Sequence, residues 1–247
     1  MANTLWNTSD KSANVTLTGS SLIATTSGAS GWVRAADKQI TGKFYWEEKP
    51  TVWGNASTGV GFCPARVTTP TATTAGTCVV IKSGVINVDG ATSGSTLGAR
   101  AANDVIGIAV DFGARLAWFR VAPSGNWNGT ASADPATGVG GITIGAAGGG
   151  ALPSFPLAVL NANLDSITAN FGDTAFSGTA PSGFTSGFTS GASTSTSAMA
   201  TQAAVEHWFN TNPQAQVSQV VVEHWMSVAD AAPVVPGADN VRVIIMA

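Results

Sequence analysis

Ionisable residues are scarce in this chain. Only 10% of its 247 residues are charged, and the formal net charge is −3. A protein that binds nucleic acid through the phosphates needs a basic surface, which this balance does not supply. Histidine and cysteine are also rare, with two of each, and two cysteines alone fall short of the four ligands that structural zinc usually takes. We therefore expect no nucleic-acid partner, no bound metal and no cofactor.

Long uninterrupted apolar segments are missing as well. The uncharged stretch 135–164 contains seven glycines and three prolines, so it cannot form the continuous apolar helix of about 20 residues that spans a membrane. The first residues, MANTLWNTSDKS, lack the basic and apolar regions of a secretion signal. We expect a soluble protein with no signal peptide and no membrane insertion.

Glycine is abundant, with 29 residues, together with serine and threonine. Short apolar or alternating segments are separated by turn-forming residues, a pattern that predicts strands without helices between them. We predict eleven strands, in NVTLTG, SSLIATT, GWVRA, GKFYWEE, STGVGFC, TCVVIKSG, VINVDG, DVIGIAVDF, RLAWFRVA, FPLAVLNA and DSITANFG. The spacing predicts an all-β sandwich or barrel rather than βαβ units.

The strand pattern stops near Phe176. The segment that follows includes SGFTSGFTSG and has the composition of a linker. We predict three parts: a β-sandwich over 1–180, a Gly/Ser/Thr-rich linker over 181–200 and a small C-terminal β-module over 201–247. Three strands in fewer than 50 residues rarely form their own core, so we expect this module to pack on something else.

The C-terminal module contains two near copies of one sequence, QAAVEHWFN and QVVVEHWMS, which hold both histidines. If each copy is a strand, its glutamate and histidine point to opposite faces and cannot bind one ion together. Two histidines brought together by pairing of the copies would still lack a third ligand. We interpret the copies as an assembly interface made by Val205, His207, Trp208, Val222, His224 and Trp225.

Eight segments of the first 180 residues carry a family resemblance. They are LWNTSDKSANVTLT, GWVRA, TGKFYWEE, GVGF, DVIGIAVDFGARLAWFR, WNGTASADPATGVGG, FPLAVLNANLDSITANFG and APSGFTS. In this order they resemble the SPRY-like, concanavalin-type jelly-roll domains found in bacterial and phage proteins. The resemblance implies an antiparallel β-sandwich that binds its partners through variable loops at one rim.

The C-terminal copies, ATQAAVEHW and VSQVVVEHW, are similar to short segments near the ends of phage and prophage structural proteins. Together the two resemblances imply a bacteriophage virion protein, such as a fibre, spike or decoration protein on the outer surface of the particle. The partners would be other virion proteins, in a homo-oligomer for which the class favours a trimer. The alternatives are a capsid or tail scaffold without a ligand, and a prophage-encoded bacterial adhesin.

Two tryptophans stand in loop-like sequence. NWNG places Trp127 between Asn126 and Asn128, and Trp53 lies in PTVWGNAS. An exposed indole beside amides can stack on a sugar ring and hydrogen-bond its hydroxyls. We predict these four residues as binding residues for a host cell-surface polysaccharide. The alternative is that both indoles fold back as caps on the ends of the sandwich.

No combination of residues predicts catalysis. Glu47 and Glu48 are neighbours on one predicted strand and point apart, whereas a glycosidase needs facing carboxylates. The chain has no GxSxG motif, and the glycine-rich GAAGGGA lacks the lysine of a phosphate loop. We expect a protein that is not an enzyme.

The two cysteines, Cys63 and Cys78, lie on strands that we expect to be adjacent. They form either a cross-strand disulfide or two buried free thiols, and the sequence leaves both open.

Overall fold

The computed structural model describes residues 2–145 and 152–189, which form two packed β-sheets. The strands are β1 (Trp6–Lys11), β2 (Val15–Thr18), β3 (Ile23–Thr26), β4 (Gly31–Ala35), β5 (Lys43–Val52), β6 (Gly59–Pro64), β7 (Cys78–Ile81), β8 (Val85–Val88), β9 (Ala91–Thr96), β10 (Ile106–Asp111), β11 (Leu116–Val121), β12 (Ile142–Thr143), β13 (Ser154–Leu160), β14 (Ser166–Asn170) and β15 (Thr185–Ser186). Across the described part of the chain the helical content is one 3₁₀ turn, Trp127–Gly129. No helix in these residues is long and apolar enough to cross a membrane. The predicted all-β sandwich is confirmed.

The first sheet has seven strands in the order β1-β4-β13-β6-β7-β8-β9, and the second runs β12-β11-β10-β5-β14-β3-β2. These neighbours pair antiparallel, while β15 joins the second sheet by pairing in parallel with β5. All eleven predicted strands are present. The strands β1, β9, β12 and β15 were not predicted, because they are polar or only two residues long and lack apolar alternation.

The side chains of β5 alternate between the core and the outer face of the second sheet. Phe44 and Trp46 lie in the core between the sheets, while Tyr45 belongs to a cluster on the outer face of the second sheet. The alternation follows from the two-residue period of a strand. In the core, the rings of Phe62 and Phe119, from opposite sheets, stack with centroids 6.5 Å apart. Aromatic packing of this kind joins the two sheets.

The sandwich extends beyond the boundary that we predicted at residue 180. Phe184 packs on the outer face of the second sheet, and Phe188 is fully buried in the central core. Strand β15 lies between them and pairs with β5. The linker prediction is therefore wrong for 181–189, because the phenylalanines of SGFTSGFTSG anchor a segment whose composition otherwise resembles a linker. The predicted C-terminal module, 201–247, lies outside the described residues.

Both cysteines are free thiols. Cys78 lies opposite Phe62, one residue before Cys63, so the two thiols point to opposite faces of the first sheet. Cys78 joins the central core, while Cys63 joins an outer cluster with Leu157 and Val159. The disulfide alternative is wrong for this geometric reason. Burial raises the pKa of Cys63 to about 12 and raises that of Cys78 further from its ordinary value.

Candidate ligand-binding groove

The predicted NWNG site is divided between the outer face and the edge of the second sheet. Asn126 is exposed, Trp127 is half-buried and Asn128 is buried. The indole of Trp127 packs against Tyr45 on the outer face, with ring centroids 6.3 Å apart, and the Arg120 guanidinium lies 4.4 Å from its ring centroid. The indole and the buried amide therefore do not form a common surface for a ligand.

Asn128 is a structural residue and not the exposed ligand contact that we predicted. Its Oδ1 accepts the backbone N–H of Phe119 at 2.9 Å, and its Nδ2 donates to Ala117 O at 3.2 Å and to Gly140 O at 2.9 Å. Ala117 and Phe119 are alternate residues of β11, so the amide pairs with this strand as the backbone of a neighbouring strand would. Both amide hydrogens are used, and Asn128 takes a φ of 51° that asparagine tolerates well.

Trp53 is likewise buried, with 3% of its surface exposed, and its Nε1–H donates to Thr58 O at 2.7 Å. Its prediction as a ligand contact is therefore wrong. The loop around it is held by Asp165, whose carboxylate accepts the hydroxyl of Thr58 and the backbone N–H of Gly54. Two further backbone N–H groups of the 161–165 loop donate to the same carboxylate. The indole supports the end of the sandwich, which matches the alternative stated for it.

A groove of about 560 Å³ opens between β9 and β12, the end strands of the two sheets. This volume lies within the roughly 300–1,000 Å³ of typical ligand clefts. The lining residues are Val88, Thr92, Ser93, Ser95, Asn128, Thr130, Gly140, Gly141, Ile142 and Thr143. Neither ionisable nor aromatic side chains are among them. Of the predicted ligand residues, only Asn128 borders this groove.

Glycine residues bring the walls of the groove into position. At Gly129, with a φ of +71°, a Cβ would collide with the carbonyl oxygen of Thr96, so only glycine lets the 3₁₀ turn approach β9 this closely. A Cβ at Gly141 would lie 2.5 Å from Cζ2 of Trp118, over which this segment passes. The indole N–H of Trp118 fixes the same segment by donating to Val139 O at 2.9 Å.

Most residues of the groove carry no sequence signal for binding. Strand β9, ATSGST, has no apolar alternation, and β12 has only two residues. The two strands line one groove because the two sheets end at the same side of the sandwich. No local signal in the sequence predicts that strands so far apart in the chain border the same groove.

The two neighbouring glutamates, Glu47 and Glu48, do not form a catalytic pair. Glu47 and Glu48 point to opposite faces of β5, where Glu47 accepts the hydroxyl of Tyr45 and Glu48 accepts the indole N–H of Trp46. In residues 2–145 and 152–189, no three His, Cys, Asp or Glu side chains are grouped closely enough to hold a metal ion. The groove itself offers hydroxyl and apolar groups, which can bind a neutral ligand.

Comparison with known proteins supports the fold. No family model and no curated protein matches the chain. The SPRY domain of human HERC1 is 16% identical and has a TM-score of 0.54 over 69% of this chain and 99% of that domain. The TRIM65 PSpry domain is 12% identical, with a TM-score of 0.48 over 68% of this chain and 92% of that one. Stonustoxin is also 12% identical, with a TM-score of 0.48 over 68% of this chain and 27% of that one. The sandwich formed by the described residues is therefore SPRY-like in fold.

Proposed function

We propose that this protein is a non-enzymatic structural protein of a bacteriophage virion that binds the surface of a host cell. The SPRY-like sandwich would be displayed on the outer surface of the particle as part of a fibre, spike or decoration protein. The similarity of the VEHW copies to segments of phage structural proteins supports the virion role. The C-terminal module would attach the sandwich to other virion proteins or to further copies of this chain, with a trimer favoured.

The observation that carries the binding role is the open groove between β9 and β12. Its walls are fixed by Asn128 and by close glycine contacts, so the groove is formed before a ligand arrives. A preformed cleft loses less conformational entropy on binding than a mobile loop does. Host cell-surface polysaccharide, which presents repeated polar units, is a suitable receptor for such a groove.

The test is binding of the fluorescent full-length protein to a panel of intact bacterial cells. Thr92 is exposed on β9 and lines the groove, so Thr92→Trp should block it and lower cell binding at least tenfold. Thr16→Trp is a matched control, because Thr16 is an exposed threonine on β2, the end strand on the other side of the second sheet. We expect the control to bind as the wild-type protein does. Failure of the wild-type protein to bind any cell would contradict the proposal.

A scaffold role without a ligand is the second candidate. Within the described residues, β9 pairs only with β8 and β12 only with β11, so each presents an unpaired edge that a neighbouring subunit could cover. In that case Thr92→Trp would impair particle assembly, and purified protein would bind no cells. Incorporation of each variant into particles, measured beside cell binding, separates the two functions.

A further inference from the structure

Of the described residues, ten line the groove, and none of the ten has an ionisable side chain. An anionic sugar or a phosphate brings a charge that proteins usually meet with arginine, lysine or a row of backbone N–H groups. Placing such a charge in a groove without a partner is costly, because its hydration is lost without compensation. The lining therefore favours a ligand without formal charge.

Five of the ten lining residues carry hydroxyls: Thr92, Ser93, Ser95, Thr130 and Thr143. A hydroxyl can donate one hydrogen bond and accept two, and it rotates to suit its partner. Each hydroxyl of a sugar also donates one hydrogen bond and accepts others, so hydroxyl side chains in the groove can bond with it in either direction. The amide of Asn128 is not free to contribute donors, since both of its hydrogens are used by backbone carbonyls.

The apolar part of the groove comes from Val88 and Ile142, which are half-buried and pack against the central core. A pyranose ring has a face of C–H groups beside its hydroxyls, and a surface of this kind needs an apolar contact. Here aliphatic side chains take the place that an aromatic ring would hold. Trp127 cannot supply the contact, because its ring packs with Arg120 and Tyr45 on the outer face of the sheet.

We infer that the groove between β9 and β12 binds an uncharged saccharide unit of the host surface. This inference rests on the proposed host-binding function and specifies its ligand class. Asn128 is a positioning residue for the site, since it ties β11 to the segment that carries Gly140. Discrimination between sugars would come from the hydroxyl side chains on β9 and β12.

The experiment uses the full-length protein and cells of a strain that it binds. Periodate, which oxidises vicinal diols of sugars, should lower binding at least tenfold, whereas protease treatment of the cells should leave binding unchanged. Soluble neutral polysaccharide purified from the same strain should compete for binding. An acidic polysaccharide such as alginate should compete at least tenfold less well.

Added bulk on the other wall of the groove gives a second measurement. Thr143 is exposed on β12, and Thr143→Trp should lower affinity for the purified neutral polysaccharide at least tenfold, while Thr16→Trp should not change it. Thermal unfolding of both variants checks that each remains folded. Binding that survives periodate and is abolished by protease would overturn the saccharide inference and leave the host-binding function intact. Absence of binding to every cell would instead remove the proposed function itself.

Discussion

Glu48 is a glutamate in the centre of the core, where it makes the structure sensitive to pH. It is fully buried, and its neighbours on the adjacent strands are Ile106 and Ala169. The Nε1–H of Trp46 donates to its Oε1 at 2.9 Å, and Oε2 has no partner among the described residues. Burial raises the pKa of Glu48 well above its ordinary value, and the Trp46 hydrogen bond opposes this only in part.

The sign of the pH effect follows from which state holds the proton. Below the ordinary carboxyl pKa of about 4.3, both the folded and the unfolded chain are protonated at Glu48, and stability does not depend on this group. Above that pH the unfolded chain releases the proton while the folded protein retains it. The contribution of Glu48 to the free energy of unfolding should therefore fall by about 1.4 kcal/mol for each pH unit, until the pH approaches the pKa of the folded state.

Glu48→Gln removes the titration and keeps the shape of the side chain, including an oxygen that can accept the Trp46 N–H. The stability of this variant relative to the wild-type protein should rise between pH 5 and pH 6, by up to about 1.4 kcal/mol. Urea unfolding of both full-length proteins at a series of pH values measures the difference. Taking the difference cancels the contributions of the other ionisable groups.

Glu47→Gln is the matched control, on the opposite face of the same strand. Glu47 accepts hydrogen bonds from Tyr45 Oη at 2.6 Å, Ser177 N at 2.8 Å and Gly178 N at 2.7 Å. An amide nitrogen in place of one oxygen cannot accept these bonds, so this variant should be less stable by about 1–3 kcal/mol. If the stability of Glu48→Gln relative to wild type is the same at pH 5 and pH 6, the argument that burial keeps Glu48 protonated is refuted.

Two further predictions concern other buried polar groups. Asn128→Asp should lower the free energy of unfolding by about 2–4 kcal/mol, because a carboxylate oxygen then faces two backbone carbonyls; the exposed Asn126→Asp should change it by less than about 0.5 kcal/mol in the same denaturation assay. Equal effects of the two variants would argue against the bridging role of Asn128. Cys63 and Cys78 should react with a thiol reagent at pH 8 only after unfolding, since burial raises the pKa of both thiols; rapid reaction of the folded protein would contradict the burial of these thiols.

The sequence predicted those parts of the fold in which local pattern and burial agree. Strands β10 and β11 are apolar on both faces because they lie inside the second sheet with packing on each side. A run of that kind is recognisable without a structure. The segment 181–189 was misassigned because two phenylalanines fix it to the sandwich, while glycine and serine dominate its composition. Because composition is averaged over a whole segment, it does not reveal that a few single residues, such as Phe184 and Phe188, are buried in the sandwich.

The candidate site was harder to predict because exposure is not a local property. Trp53 stands in a Gly/Asn-rich sequence that resembles an exposed loop, yet its indole is buried beneath that loop. The cause is Asp165, more than 100 residues away, which binds the loop backbone and turns it over the indole. The sequence around Trp53 does not show that a carboxylate from a distant loop will bind there.

The NWNG segment shows why adjacent residues need not share a function. The indole of Trp127 packs on the outer face of the second sheet, whereas the amide of Asn128 hydrogen-bonds the backbone edge of β11. Strand β12 is only two residues long, and the amide of Asn128 bonds the part of β11 that β12 does not cover. No longer strand pairs with this edge of β11 in the described residues. The groove exists where the sheet ends, between β12 and β9. Asn128, which we predicted as a ligand contact, therefore has a structural role: it fixes the edge of the sheet beside which a ligand can bind.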